Sequence, residues 1–144
     1  MCGRYYNRAE KQRIAEAMQA RSPEPFEVRP SYNVAPQSFQ PVVKLGRDGE
    51  RELAVMRWGL IPFWAKPDAK IGRGKSPVPR ALVNARAETV QTSAAFREAF
   101  QRRRCLVPAS GFYEWMKLDG KNRQPYAVTV AGKDVIAFAG LWER

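Results

Sequence analysis

Histidine is absent from this 144-residue chain, which removes the ordinary zinc site along with any reason to expect a metal cofactor. Cysteine occurs only twice, at Cys2 and Cys105, so a disulfide scaffold is excluded and a reducing compartment fits. No apolar run approaches the roughly 18 residues that a membrane-spanning helix needs. Arg4 and Arg8 put charge where a signal peptide is apolar, so a cytoplasmic protein with no membrane anchor is expected. Acidic residues are also scarce: 14 Asp and Glu face 25 Lys and Arg, leaving a formal net charge of +11. There are no repeats and no convincing internal linker. Residues 1–144 therefore read as one domain, long enough at 44% hydrophobic content to bury a core and too short for two ordinary ones.

The excess of positive charge points to polyanions, with nucleic acid favoured and an anionic membrane surface as the alternative. Lys66, Lys70, Arg73, Lys75, Arg80 and Arg86 are opposed locally only by Asp68 and Glu88, in a Gly- and Pro-rich stretch that reads as a loop able to follow a backbone. Arg97 and Arg102 to Arg104 form a second cluster. Asn7, with Glu10 three residues on, predicts a capped helix to about Arg21 whose apolar face carries Ile14, Ala15 and Met18. Strands are predicted at Pro41 to Leu45 and Glu52 to Trp58, joined through Asp48-Gly49 as a hairpin. A second helix is predicted from Thr92 or Ser93 to about Arg103. Further strands follow at Cys105 to Val107, Phe112 to Met116, Tyr126 to Val130 and Val135 to Ala139. Strands dominate with helices inserted, so the class is α+β, with mixed or antiparallel strands and two or three helices.

Cys2 directly follows the initiator methionine, and removal of Met1 puts a thiol and an α-amine on one carbon. Their reference pKa values, about 8.5 and about 8, leave part of each nucleophilic at neutral pH. An aldehyde can then condense with the amine as a Schiff base and be closed by the thiolate into a thiazolidine; alternatively the amine serves as base for the thiol. The competing reading of Cys2 is an accident of the start site. Asn84, in an otherwise apolar stretch, offers an amide that both donates and accepts, unless it only closes a local turn. Glu114 lies between aromatic residues, where partial desolvation raises a carboxyl toward the range useful for proton transfer; the competing reading is the outward face of an edge strand. Trp58 reads as core. Phe63 and Trp64, beside the basic loop, are either base-stacking rings or further core. Asn33-Val34-Ala35-Pro36 by itself reads as a turn.

Taken in order, Met1-Cys2-Gly3-Arg4-Tyr5, Tyr32-Asn33-Val34-Ala35-Pro36, Arg57-Trp58-Gly59-Leu60-Ile61-Pro62, Val83-Asn84-Ala85-Arg86-Ala87-Glu88-Thr89 and Gly111-Phe112-Tyr113-Glu114-Trp115 resemble the SRAP (SOS response-associated peptidase) family of abasic-site processing proteins. The resemblance implies a β-rich SRAP-like domain that binds single-stranded DNA and crosslinks to abasic sites, without a cofactor and as a monomer. It further implies lyase and self-processing peptidase activity. Carried onto these positions, it makes Cys2 the nucleophile that captures the ring-opened deoxyribose aldehyde as a thiazolidine. Asn84 positions the amine or the sugar oxygen, and Glu114 handles protons. Arg4 and Arg86 hold phosphates, while Pro36, Phe63 and Trp64 line the path of splayed bases. Members of the family normally carry a histidine in a later His-Arg-Met-Pro-like segment, which this sequence lacks, so it is expected to correspond to the N-terminal two-thirds of such a domain. Two rival classes share some of these features: N-terminal-nucleophile amidotransferases, which also begin Cys-Gly after maturation, and DNA-binding modules without catalysis.

Overall fold

In a computed structural model, residues 3–23, 25–65 and 81–143 are described. Among them eight strands and two helices appear: β1 (Tyr5–Asn7), α1 (Lys11–Met18), β2 (Ser31–Val34), β3 (Phe39–Leu45), β4 (Arg51–Arg57), α2 (Arg97–Arg102), β5 (Arg104–Ala109), β6 (Gly111–Lys117), β7 (Arg123–Val128) and β8 (Ile136–Leu141). They form two four-stranded sheets, ordered β2-β1-β6-β7 and β4-β3-β5-β8. Every paired strand is antiparallel, so the mixed-sheet alternative falls away. Parallel geometry survives among the described residues only in the isolated bridge between Arg21 and Glu52. No helix among the described residues is long and apolar enough to cross a membrane.

The β3–β4 hairpin follows the predicted chemistry. Gly49 takes a φ of 83°, and the Gly46 amide donates to Glu50 O at 2.8 Å, closing the turn that the Asp48-Gly49 pair signals. Pro41 is tolerated inside β3 because β5 joins that strand only at Val43 and Lys44, leaving the missing N–H without a strand to serve. α1 lays Ile14 and Met18, four residues apart, on Val43 and Leu53. Complete burial of Ile14 contributes roughly 2 kcal/mol. The other face of the β5 sheet meets the β1 sheet through Tyr5, Val34, Ala109, Val107, Phe112 and Phe138. Successive residues Leu106 and Val107 thus point into two different cores, as strand alternation requires.

One short link carries the chain between the sheets. β5 passes through buried Ser110 directly into β6. The Ser110 amide donates to Tyr6 O at 2.8 Å, and its hydroxyl accepts from the Arg8 amide at 3.0 Å, tying the start of β6 to β1. Gly111 is required there, since a Cβ would lie 2.5 Å from the Tyr6 hydroxyl and 2.6 Å from Val128 O.

Several predicted boundaries move. Asn7 does not cap a helix. It ends β1, is buried, and spends its amide on Ala9, accepting from that residue's N–H at 3.2 Å and donating to its carbonyl at 3.1 Å. α1 begins four residues later behind Glu10, which makes no side-chain cap bond. The second helix begins at Arg97 rather than near Thr92, because Phe96 sits at φ −120° and the preceding residues close successive turns. The strand predicted at Tyr126 to Val130 is shifted toward the N-terminus, to Arg123–Val128. Ser31–Val34 is a strand, and the turn expected at Asn33 to Pro36 begins only after Val34.

Candidate active site

Trp58 joins the segments that carry three of the candidate residues, through the neighbours of Arg4, Pro36 and Asn84. Its ring lies 5.4 Å from that of Tyr5 on β1, centroid to centroid. Its indole N–H donates to Val83 O at 2.9 Å, one residue before Asn84. Its backbone N–H donates to Ser38 O at 2.9 Å, and its carbonyl accepts from the Gln37 amide at 2.8 Å. The segment carrying Asn84 is held a second time by reciprocal 2.9 Å bonds between Leu60 and Leu82. Gly59, at φ 134°, permits that approach, since a Cβ there would lie 2.8 Å from Ala81 Cβ. Asn84 itself is exposed at the end of this tether.

Gly3 and Arg4, the residues that lead into β1, stand in an open cleft of about 610 Å³ that is also lined by Tyr32, Asn33, Tyr113 and Trp115. The Tyr113 amide donates to Arg4 O at 3.0 Å, and the Arg4 guanidinium donates to Asn33 Oδ1 at 2.6 Å. The Tyr113 hydroxyl donates to Tyr32 O at 2.8 Å. Tyr6 backs this surface, its ring 5.4 Å from Tyr113 and 6.3 Å from Tyr32, stacked nearly parallel to the latter at 12°. Tyr32 is 65% exposed and Trp115 43% exposed, so both offer ring surface to solvent. Such rings beside an arginine suit an unpaired base and a phosphate.

Glu114 is half-buried on β6, opposite Tyr126 of β7. Because β6 lies between β1 and β7, the edge-strand reading of Glu114 is overturned. Strand alternation turns Glu114 away from the face of Tyr113 and Trp115 and onto that of Phe112, the side on which Tyr5 meets Phe138. It does not line the cleft. Continued one step beyond the Tyr113–Arg4 bond, the antiparallel register sets Gly3, the residue bonded to Cys2, beside Glu114.

Pro36, Phe63, Trp64 and Arg86 do not line the cleft. Pro36 is half-buried at the corner that precedes Gln37. Phe63 is 65% and Trp64 54% exposed, which removes the core alternative for both; the Trp64 indole donates to Ala94 O at 3.4 Å. Arg86 is exposed within a run of turns. Cys2, Lys66, Lys70, Arg73, Lys75 and Arg80 lie outside the described residues. The half-buried Trp58 packs against the inter-sheet core, as predicted. Tyr32, Asn33, Tyr113 and Trp115 were not singled out from the sequence, although all stand inside quoted motifs. Alternation through Tyr113-Glu114-Trp115 was the available signal. Cys105 is no second nucleophile: it is buried in β5, and burial pushes its thiol up to about 11.

Comparison with known proteins settles the lineage. Residues 1–144 match the family model described as SOS response associated peptidase (SRAP). The chain belongs to the SRAP family. Among SRAP relatives it is 44% identical over 119 residues to the abasic site processing protein YoaM of Bacillus subtilis, covering 82% of this chain and 48% of YoaM. It is 41% identical over 146 residues to the abasic site processing protein YoqW of the same organism, covering 100% of this chain and 61% of YoqW. The abasic site processing protein HMCES of Pongo abelii is 38% identical over 133 residues, 86% of this chain and 35% of that protein. The chain thus spans about half to three-fifths of the length of the Bacillus relatives. Crystal structures of proteins from Bordetella bronchiseptica and Bacteroides thetaiotaomicron superpose with TM-scores of 0.74 and 0.76, each at 25% identity. They cover 99% and 98% of this SRAP chain, and 64% and 61% of their own.

Proposed function

We propose that this SRAP domain captures abasic sites in single-stranded DNA by forming a covalent thiazolidine through Cys2. Hydrolytic removal of Met1 frees the α-amine. The amine condenses with C1 of the ring-opened deoxyribose, expelling one water as the Schiff base forms. The Cys2 thiolate then adds to the same carbon, and the nitrogen takes up a proton. The product is protein plus DNA minus one water. Ring closure on an atom already bound gains proximity that a bimolecular thiol attack lacks.

In this reading Asn84 steers the amine or the sugar oxygen, and Glu114 exchanges protons with the sugar oxygen and the amine during capture and reversal. Arg4 and Arg86 hold the phosphates on either side, and Pro36, Phe63 and Trp64 line the strand's path. Tyr32 and Trp115 add stacking surface in the cleft beside Arg4. The names of the relatives support the substrate, since YoaM, YoqW and HMCES are each called abasic site processing proteins. The observation that carries the reading is the anchoring of the N-terminal strand. Arg4, two residues from Cys2, is bonded through its carbonyl to Tyr113 and through its guanidinium to Asn33, next to the strand position of Glu114.

Intact mass of the purified chain, alone and after incubation with an abasic single-stranded oligonucleotide, tests it. Loss of Met1 followed by an adduct of protein plus DNA minus water is expected, and Cys2→Ala should keep DNA affinity while forming no adduct. Loss of Met1 without an adduct overturns covalent capture, and retained Met1 leaves only a binding role.

A further inference from the structure

Among the described residues, the non-glycine residues with a left-handed backbone are Gln19, at φ 51°, and Gln37, at φ 75°. The fold explains the first, which ends α1 with its N–H on the carbonyls of Ala15 and Glu16. At the second the turn explains the backbone but not the choice of a long side chain. Gln37 is the third residue of the Ala35–Ser38 corner, in which Pro36 sets φ before a position that ordinarily takes glycine or asparagine. A longer side chain there costs the fold stability. The Gln37 carboxamide returns nothing to the protein, being exposed and without a side-chain hydrogen bond among the described residues.

The corner is nonetheless rigid. The Ser38 hydroxyl donates to Ala35 O at 2.6 Å and the Ser38 amide to the same oxygen at 3.3 Å. The Gln37 amide and the Ser38 carbonyl are both bonded to the Trp58 backbone, whose side chain touches Tyr5 and holds Val83. Gln37 therefore projects from the joint shared by the N-terminal strand and the Asn84 segment, one residue from Pro36.

Building on the proposed capture of abasic DNA, we infer that Gln37 reads the edge of the nucleobase flanking the captured sugar. A carboxamide presents a donor and an acceptor side by side, which matches a base edge. A phosphate only accepts, and the cations Arg4 and Arg86 meet that need. The rigid corner holds the carboxamide without loop ordering at the moment of binding.

Fluorescence anisotropy with single-stranded oligonucleotides carrying a tetrahydrofuran abasic analogue, flanked in turn by A, C, G and T, measures the readout, and thermal melting accompanies it. Wild type is expected to discriminate among flanking bases. Gln37→Gly should melt no lower than wild type, bind the preferred oligonucleotide roughly three- to tenfold more weakly, as loss of one hydrogen bond predicts, and lose the discrimination. If Gln37→Gly matches wild type on every flank, Gln37 reads no base. Wild type that neither binds these oligonucleotides nor crosslinks authentic abasic DNA instead overturns the capture function, and this inference with it.

Discussion

Trp58→Phe separates the joint from the core it sits in. The substitution deletes the indole N–H and leaves Val83 O without its 2.9 Å donor, a loss of about 1 kcal/mol. It also removes part of a half-buried ring packed 5.4 Å from Tyr5, worth roughly another 1 kcal/mol. The sum of about 2 kcal/mol lowers the melting temperature of a chain this size by roughly 8 °C. Stability alone is a poor reporter, so Phe138→Leu serves as the control. It loosens the same core, where Phe138 meets Tyr5 and Phe112, and spares the bond to Val83. With saturating abasic DNA, well below both melting points, Trp58→Phe should crosslink roughly tenfold more slowly because the Asn84 segment loses the nearer of its two tethers and keeps only the Leu60–Leu82 bonds, while Phe138→Leu keeps the wild-type rate. Equal rates for the two variants at comparable destabilisation would refute the idea that Trp58 positions Asn84 through Val83.

Glu114→Gln preserves shape and removes the exchangeable proton, so crosslinking should slow by roughly a hundredfold with DNA affinity unchanged. A matching loss of affinity would make Glu114 a binding group instead. Arg13 grips Asp134 with two bonds, Nε to Oδ2 at 2.6 Å and Nη2 to Oδ1 at 2.8 Å, joining α1 to the approach to β8. That grip holds the Asp134 carboxyl down at about 2, against an ordinary 3.8. Because the folded value is the lower one, the pair stabilises the fold above the ordinary value and loses its effect as pH falls through about 2. Melting curves of wild type and Asp134→Asn should therefore differ at pH 6 and converge toward pH 2; a gap of constant size would show that the pair contributes nothing through its charge.

What the sequence discloses of this fold depends on how local the cause is. The β3–β4 hairpin is legible because its turn residues and apolar strands lie within twenty residues, and the structure pairs Phe39 through Leu45 with Arg57 through Arg51. β1 is not legible. It is three residues long, and its order comes from partners far along the chain, at Val34 and Phe112. Asn7 misleads for a related reason: the same short amide that caps helices also closes a local loop, and burial at the end of β1 selects the loop. The joint at Trp58 is equally hidden, since the partner of its indole is a backbone carbonyl, which carries no residue-type signal.

The Gly111–Trp115 segment shows where strand geometry adds to motif reading. As a motif it suggests one site with Glu114 at its centre. As β6 it presents two surfaces, Tyr113 and Trp115 toward the cleft and Phe112 with Glu114 toward the inter-sheet core. On the proposed function this division is useful. A carboxyl on the Phe112 face is kept apart from the rings that line the cleft. Rings that hold bases need the open side, where successive nucleotides can enter and leave. β1 pairs with β6 at Tyr5 and Tyr6 and follows directly on Gly3 and Arg4 of the cleft lining, so this strand pair adjoins both surfaces.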